Sequence, residues 1–274
     1  MNRINATLTA LKAAGKTALI PYITAGDPHP DMTVSLMHGL VASGADMIEL
    51  GVPFSDPMAD GPVIQKAIER ALVHQVNLRQ ILKMVTEFRQ IDSQTPVILM
   101  GYLNPIEAMG DADFSKMARQ AGVDAVLTVD MPPEESGGYF EQLQNANLDR
   151  IFLVSPTTPD SRLNAVTEKG SGFVYYVSLK GVTGSNQIDV ADVAKHVHHL
   201  KEKVAMPVAI GFGIRDGETA YQMAKLADAV IVGSALVSII ESHSESELLD
   251  IQSFLNDKMR EFREAIDRAD GEGS

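Results

Sequence analysis

One hydrophobic pattern recurs along the chain. A short run of apolar, β-favouring residues stops at Gly, Pro, Asp or Asn, and a segment with apolar residues every three or four positions follows. Runs at 18–23, 47–50, 97–100, 125–129, 151–154, 173–177, 208–210 and 229–232 read as eight strands. Between them the helical period predicts helices over 31–42, 62–74, 78–90, 111–120, 134–146, 160–168, 190–203, 216–226 and 235–241. A helix around 4–12 precedes the first strand, and a longer one over 245–268 follows the last. The strands are apolar on both faces, which marks a parallel sheet rather than an antiparallel one with a wet side. Eight β–α units predict an α/β fold, a (β/α)8 TIM barrel with extra N-terminal and C-terminal helices. An open doubly wound sheet would carry a glycine-rich fingerprint at its first turn, and Ala25-Gly26-Asp27-Pro28 is not one. No linker interrupts the pattern, so residues 1–268 read as a single barrel domain and 269–274 as a polar, frayed tail.

The 274 residues suit one barrel, which typically needs about 250. Hydrophobic residues at 45% exclude a disordered chain. Lys and Arg total 23 against 36 Asp and Glu, a net charge of −13. That field disfavours nucleic acid and anionic membrane as partners. It leaves room for an anionic small substrate, because a nest of backbone N–H groups binds phosphate inside an acidic protein. There is no cysteine, hence no disulfide, no thiolate nucleophile and no Cys-ligated zinc, which fits a reducing, cytoplasmic setting. The longest apolar run, 229–240, is too short to span a bilayer, and Lys12 and Lys16 break any signal-peptide pattern.

In this fold the active site lies at the C-terminal ends of the strands. Glu49, in Met47-Ile48-Glu49-Leu50-Gly51, is a carboxylate inside an apolar strand. A structural ion pair would account for it, and so would a general acid whose pKa is raised by burial. Asp60 precedes Gly61-Pro62 and an apolar helical run, so it reads as a helix cap. It also stands above the same strand as Glu49, which would make a catalytic pair. Asp130 ends a strand before Met131-Pro132-Pro133, an ordinary place for turn initiation. Tyr22, Tyr102 and Tyr175 fall at or near strand ends, where packing is the ordinary explanation and lining a substrate pocket the alternative.

Glycine-rich stretches follow late strands: Gly181-Val182-Thr183-Gly184, Gly211-Phe212-Gly213 and Gly233-Ser234. The loops after strands seven and eight commonly hold phosphate through backbone N–H groups, so Gly211, Phe212, Gly213, Gly233 and Ser234 form a candidate phosphate site. The polar segment 178–189 reads as a lid or as a plain surface loop. His196, His198 and His199 lack the four-residue spacing of a zinc helix, and no metal site is expected.

Several stretches carry a resemblance. They are Pro21-Tyr22-Ile23-Thr24-Ala25-Gly26-Asp27-Pro28, the run from Glu49 through Asp60 to Gln65, Met100-Gly101-Tyr102-Leu103-Asn104-Pro105, and Gly181-Val182-Thr183-Gly184. Through them the chain resembles the alpha subunit family of tryptophan synthase from end to end. The resemblance implies retro-aldol cleavage of indole-3-glycerol phosphate to indole and glyceraldehyde 3-phosphate, a carbon–carbon lyase reaction. It implies that Glu49 protonates indole C3 and that Asp60 accepts a hydrogen bond from the indole N–H. It places Tyr22, Leu127, Val129 and Tyr175 around the indole, Thr183 on the lid near Asp60, and Gly184, Gly213, Gly233 and Ser234 on the phosphate. It sets the loop through Pro53, Asp56 and Pro57, with the Asn104 region, against a beta subunit in an alpha2beta2 complex. Pyridoxal phosphate belongs to that partner, and no cofactor is expected in this chain. Two features depart from some relatives: Tyr22 in place of Phe, and Ser178-Leu179-Lys180 where an Arg stands one position earlier. Another sugar-phosphate barrel enzyme and a mainly regulatory subunit remain the competing readings.

Overall fold

Period-two alternation within each strand decides which side chains fill the barrel and which meet the helices. In a computed structural model, which describes residues 2–177 and 189–272, eight parallel strands close in chain order. They are β1 (Ala18–Thr24), β2 (Ile48–Gly51), β3 (Val97–Gly101), β4 (Ala125–Thr128), β5 (Asp149–Val154), β6 (Val174–Tyr176), β7 (Val208–Ile210) and β8 (Ala229–Val232). Ala18, Ile20, Met47, Ile98, Leu127, Ile151, Tyr175, Ala209 and Ile231 share one cluster, the inner core. Their strand neighbours Leu19, Ile48, Leu99, Val126, Phe152, Val174, Val208 and Val230 join the larger cluster beneath the helices.

The helices flanking β2 and β3 are α2 (Thr33–Ala42), α3 (Pro62–Val73), α4 (Leu78–Phe88), α5 (Leu103–Met109) and α6 (Asp111–Ala121). Those that follow are α7 (Gly137–Asn145), α8 (Asp160–Lys169), α9 (Val190–Lys203), α10 (Gly217–Ala224), α11 (Ser234–Ser242) and α12 (Leu248–Glu272). Among the described residues no helix is long and apolar enough to cross a membrane.

α1 (Arg3–Ala13) closes the N-terminal end of the barrel by placing Ile4 and Leu8 in the inner core. It is fixed there by Asp124, which is buried and accepts from Arg3 Nη1 at 2.8 Å, Arg89 Nη2 at 2.9 Å and the Val97 N–H at 2.9 Å. Asp149 beside it accepts from Asn2. With this end plugged, the opposite end alone is free to receive a ligand.

Three differences from the sequence expectation have local causes. α5 is a helix the hydrophobic pattern did not reveal, because it has seven residues and contains Pro105. Proline is tolerated in a first turn, where no N–H would be bonded, and the Asp130 carboxylate accepts the Leu103 N–H at 2.8 Å. The helix expected from 134 starts at Gly137, since the Pro132-Pro133 stretch turns first and Ser136 Oγ donates to the Pro133 carbonyl at 2.9 Å. The chain expected to fray from 269 continues as α12 to Glu272, where Ala269 is buried and Lys225 and Tyr221 both reach the Glu272 carboxylate.

Replacing Asp124 with Ala would leave two guanidinium groups and a buried backbone N–H without their acceptor. Breaking such a pair costs about 3–5 kcal/mol. Urea unfolding of Asp124→Ala is expected to show a loss of that size, while the folded fraction keeps its turnover, because the change lies at the closed end.

Candidate active site

Continuing the inward alternation upward brings one or two positions from each strand to the open mouth. On β1 it is Tyr22, on β2 Glu49 and then Gly51, and on β3 Met100. Leu127 and then Val129 follow from β4, Leu153 from β5, Tyr175 and Val177 from β6, Gly211 after β7 and Gly233 after β8. Tyr22 and Glu49 are register partners on adjacent strands. Seven positions expected from the sequence to line the substrate or act on it therefore converge by register: Tyr22, Glu49, Leu127, Val129, Tyr175, Gly211 and Gly233. Met100, Leu153 and Val177 were missed, and the same parity count would have found them.

Glu49 is buried and its Oε1 has no hydrogen-bond partner among the described residues. Burial in this apolar wall pushes its carboxyl up to about 8, and the nearby Asp60 charge adds to the rise. At neutral pH the group is a protonated acid with an unengaged oxygen.

Asp60 lies in the loop between β2 and α3. The cap of α3 is Gly61, one residue later than expected, and no side chain caps the helix. The Asp60 carboxylate is thus not spent on the helix; it accepts from the Tyr102 hydroxyl at 2.7 Å. The same hydroxyl accepts the Ala59 N–H at 2.9 Å. Gln65 Nε2 donates to the Asp60 carbonyl at 2.9 Å and pins the backbone from the helix side. Burial raises the Asp60 carboxyl above its ordinary range, and the Tyr102 hydrogen bond opposes that rise. Tyr102, buried in the position just before α5, acts on Asp60 rather than only packing.

The two inward tyrosines lie across neighbouring strands. Tyr22 Oη is 3.2 Å from Thr24 Oγ1, and a methyl at Gly51 would overlap the Tyr22 ring and hydroxyl. Tyr175 Oη is 3.5 Å from the Gly211 carbonyl oxygen, and a methyl at Gly211 would overlap the Tyr175 ring. Gly211, expected on the phosphate, is the socket for Tyr175. Thr24 had not been singled out, and its bond to a tyrosine two residues earlier on the strand follows from the same alternation.

At the far side of Tyr22, Gly233 precedes α11 and its carbonyl accepts the first helical N–H bonds, from Leu236 at 2.9 Å and Val237 at 3.1 Å. The N–H groups of the exposed Ser234 and of Ala235, which come before those two, have no acceptors within the helix. Gly213 has φ +76°, a left-handed conformation suited to glycine, and Phe212 is half-buried beside it. Thr183 and Gly184 lie outside the described residues.

On the outer rim, Asp56 and Asn104 are exposed, Pro57 is half-buried and Pro53 is buried. A cleft of about 480 Å³ runs between this loop and α3, lined in part by Phe54, Asp56, Met58 and Leu72, with Met58 80% exposed. It opens outward and does not include Glu49. The three histidines of α9 are engaged locally: His196 with the Asp192 carbonyl at 2.8 Å, His199 with Asp160 at 2.9 Å and His198 with Glu202 at 3.3 Å. Among the described residues no group of three or more His, Asp or Glu could hold a metal ion.

The sequence profile described as "Tryptophan synthase alpha chain" matches residues 8–267. The chain belongs to the tryptophan synthase alpha chain family. It is 76% identical over 272 residues to the tryptophan synthase alpha chain of Hydrogenovibrio crunogenus, covering 99% of this chain and 100% of that one. To the alpha chain of Laribacter hongkongensis it is 63% identical over 242 residues, covering 88% and 92%. The crystal structure of tryptophan synthase subunit alpha from Legionella pneumophila is similar at 47% identity and a TM-score of 0.91, covering 98% of this chain and 99% of that one. An alpha-chain barrel of this family is therefore the frame in which Glu49 and Asp60 are to be understood.

Folding keeps Glu49 protonated over a range in which the unfolded chain, near the ordinary 4.5, has released its proton. Stability from this group is fully present below 4.5 and is lost as pH rises toward 8. Glu49→Gln removes that dependence. Urea midpoints are expected to show the Gln variant gaining on the parent chain between pH 5 and 8; a constant difference across that range would contradict the burial argument.

Proposed function

We propose that this chain cleaves indole-3-glycerol phosphate to indole and glyceraldehyde 3-phosphate, with Glu49 as the acid and Asp60 as its electrostatic partner. The observation that carries the assignment is the buried Glu49 carboxyl with one oxygen unbonded and a pKa of about 8. The bond from indole C3 to the glycerol chain breaks only after C3 has been protonated. Glu49 gives its proton to C3, which makes the ring an indolenine cation. Asp60 accepts a hydrogen bond from the indole N–H and offsets the positive charge developing there. The carbon–carbon bond then breaks, its electron pair returns to the ring, and indole is restored. The glycerol hydroxyl on the departing carbon loses its proton to the Glu49 carboxylate, or to a water that passes it on to that carboxylate, and becomes the aldehyde. No water is consumed and Glu49 ends protonated.

The remaining residues hold the two ends of the substrate. The first-turn N–H groups of α11, with Gly213, Gly233 and Ser234, suit the phosphate. Tyr22, Leu127, Val129 and Tyr175 make an apolar slot for the ring, while Thr183 and Gly184 are assigned to the lid from the family resemblance. No cofactor is carried by an alpha chain of this family; pyridoxal phosphate belongs to the beta subunit. We place that subunit against Pro53, Asp56, Pro57 and Asn104 in an alpha2beta2 assembly, to which indole is passed for tryptophan formation. We place the enzyme in the cytoplasm, as befits amino-acid biosynthesis.

The deciding experiment incubates the purified chain with indole-3-glycerol phosphate, with and without a tryptophan synthase beta subunit, and measures indole or tryptophan. Product that rises with the partner is expected. Its absence from a folded, phosphate-binding chain would return the protein to the sugar-phosphate barrels at large, and stimulation of the partner without turnover would make it a regulatory subunit.

Glu49→Gln is expected to abolish turnover while phosphate binding persists. Asp60→Asn is expected to lower turnover by about 100-fold, as for loss of one electrostatic contact to the transition state. Turnover requires Glu49 protonated and Asp60 ionised, so the pH profile should be a bell falling on its alkaline side near 8. Tyr102→Phe removes the bond that holds the Asp60 pKa down. The acidic limb of the profile is expected to move to higher pH in that variant, with the alkaline limb unmoved.

A further inference from the structure

Asp27, in the loop after β1, is completely buried. Its two oxygens accept from Arg70 Nε at 2.7 Å and Arg70 Nη2 at 2.9 Å. This is the planar, two-point match that arginine makes and lysine does not. Arg70 also stands 3.7 Å from Glu241, which Lys66 approaches at 3.1 Å. Arg70 and Lys66 belong to α3, and Glu241 to α11.

These two helices carry the two ends of the site. The loop that leads into α3 holds Asp60, and the N-terminus of α11 holds Gly233 and Ser234. Along α11, residues 233, 237 and 241 recur every four positions and share a face. A methyl at Gly233 would come within van der Waals reach of Tyr22, and Val237 packs with Tyr22 and with Ala67 of α3. At Glu241 the contact with α3 becomes ionic. The apolar contacts alone would let α3 slide along α11, because dispersion has no preferred direction. The forked Asp27–Arg70 pair fixes α3 to the barrel rim, and the Arg70–Glu241–Lys66 contacts fix α11 to α3.

We propose that Arg70 is a positioning residue that sets the distance between the phosphate cradle at the start of α11 and the carboxylate of Asp60. The inference rests on the reading of those two places as opposite ends of one substrate. Its signature is a failure to hold both ends at once, with each end still able to bind separately.

The test uses the full chain with its beta subunit. Arg70→Met alone would leave Asp27 buried and unpaired, so the variant of choice is the double change Asp27→Asn with Arg70→Gln, which removes both charges together. Glu241→Gln is a second, surface variant that breaks the α3–α11 contact without burying a lone charge. In the double variant kcat/KM for indole-3-glycerol phosphate is expected to fall at least tenfold, since a displacement of about 1 Å can cost a hundredfold in rate. Inhibition by inorganic phosphate and both limbs of the pH profile are expected to stay as in the parent chain. Glu241→Gln should show the same pattern at a few-fold size, and Arg70→Lys should retain part of the lost rate.

If both folded variants keep the parent kcat/KM and only melt at lower temperature, Arg70 is a stability residue and the proposal falls. If phosphate inhibition weakens in step with kcat/KM, the cradle itself has been damaged and the proposal also falls. If the double variant does not fold, Glu241→Gln decides by the same two criteria. A parent chain that releases no indole would overturn the reading of the site and this inference with it, an outcome separate from inactive variants of an active parent.

Discussion

The structure turns on the burial of one carboxyl group inside an apolar barrel. An ionised carboxylate at the Glu49 position would need either a cation or several hydrogen-bond donors, and its Oε1 has neither among the described residues. The strand meets the problem by keeping the proton. Everything around Glu49 sustains that state. Tyr22 and Tyr175 are themselves held neutral by burial. The inner core below them is Ala, Ile, Leu, Met and Phe. The other acidic group assigned to the reaction, Asp60, raises the Glu49 pKa further because a second negative charge nearby disfavours ionisation. Two carboxyl groups in one site are thereby pushed into different roles: the deeper one stays an acid, and the one nearer the rim, bonded by Tyr102, is the readier to ionise.

That division depends on the two ends of the barrel being unlike. The floor is polar and crosslinked: Asp124 gathers two arginines and a backbone N–H, and α1 lies over it with Ile4 and Leu8 in the inner core. Among the described residues the mouth has few such crosslinks near Glu49 and relies on loops tied to one another. Asp130 bonds the first N–H of α5, the residue just before α5 is Tyr102, and Tyr102 holds Asp60 and Ala59. Three successive β–α loops are thus connected by three side chains and two backbone N–H groups. A barrel with an open polar floor would admit water to the inner core from below, and the elevated pKa of Glu49 would be lost to solvation.

Much of this was legible in the sequence, and the reason lies in periodicity. Eight apolar runs separated by amphipathic stretches leave few topologies open, and a carboxylate at the end of a strand stands out because it violates the pattern that makes the strand recognisable. Glu49 is such a violation. Asp60 was harder, since Asp-Gly-Pro before an apolar run has the look of a capped helix; only the backbone shows that Gly61 takes the cap. α5 escaped notice because seven residues give too few turns for a period to register, and its start is stabilised by Asp130 from another loop. Asp130 looked like a turn residue for the same reason: its function is a bond to a residue 27 positions away, which no local pattern encodes. The Asp27–Arg70 pair, 43 positions apart, was invisible on the same ground.

The glycines of the mouth show how the wall of a candidate site can be fixed by what is missing. Tyr22 and Tyr175 are large side chains near a site that must stay open, so their rings have to lean aside. Each leans over the adjacent strand, where Gly51 or Gly211 supplies a backbone without a Cβ to obstruct it. A glycine in a strand ordinarily weakens it, yet here the strand ends at the glycine and the space is filled by the tyrosine. Leaning also carries the hydroxyls to the rim, where Thr24 receives one and the Gly211 carbonyl lies near the other. A tyrosine whose hydroxyl is satisfied at the edge has little reason to rotate toward Glu49. The unbonded oxygen of that acid therefore stays available for a proton acceptor that arrives with the substrate, instead of being quenched by the protein's own side chains.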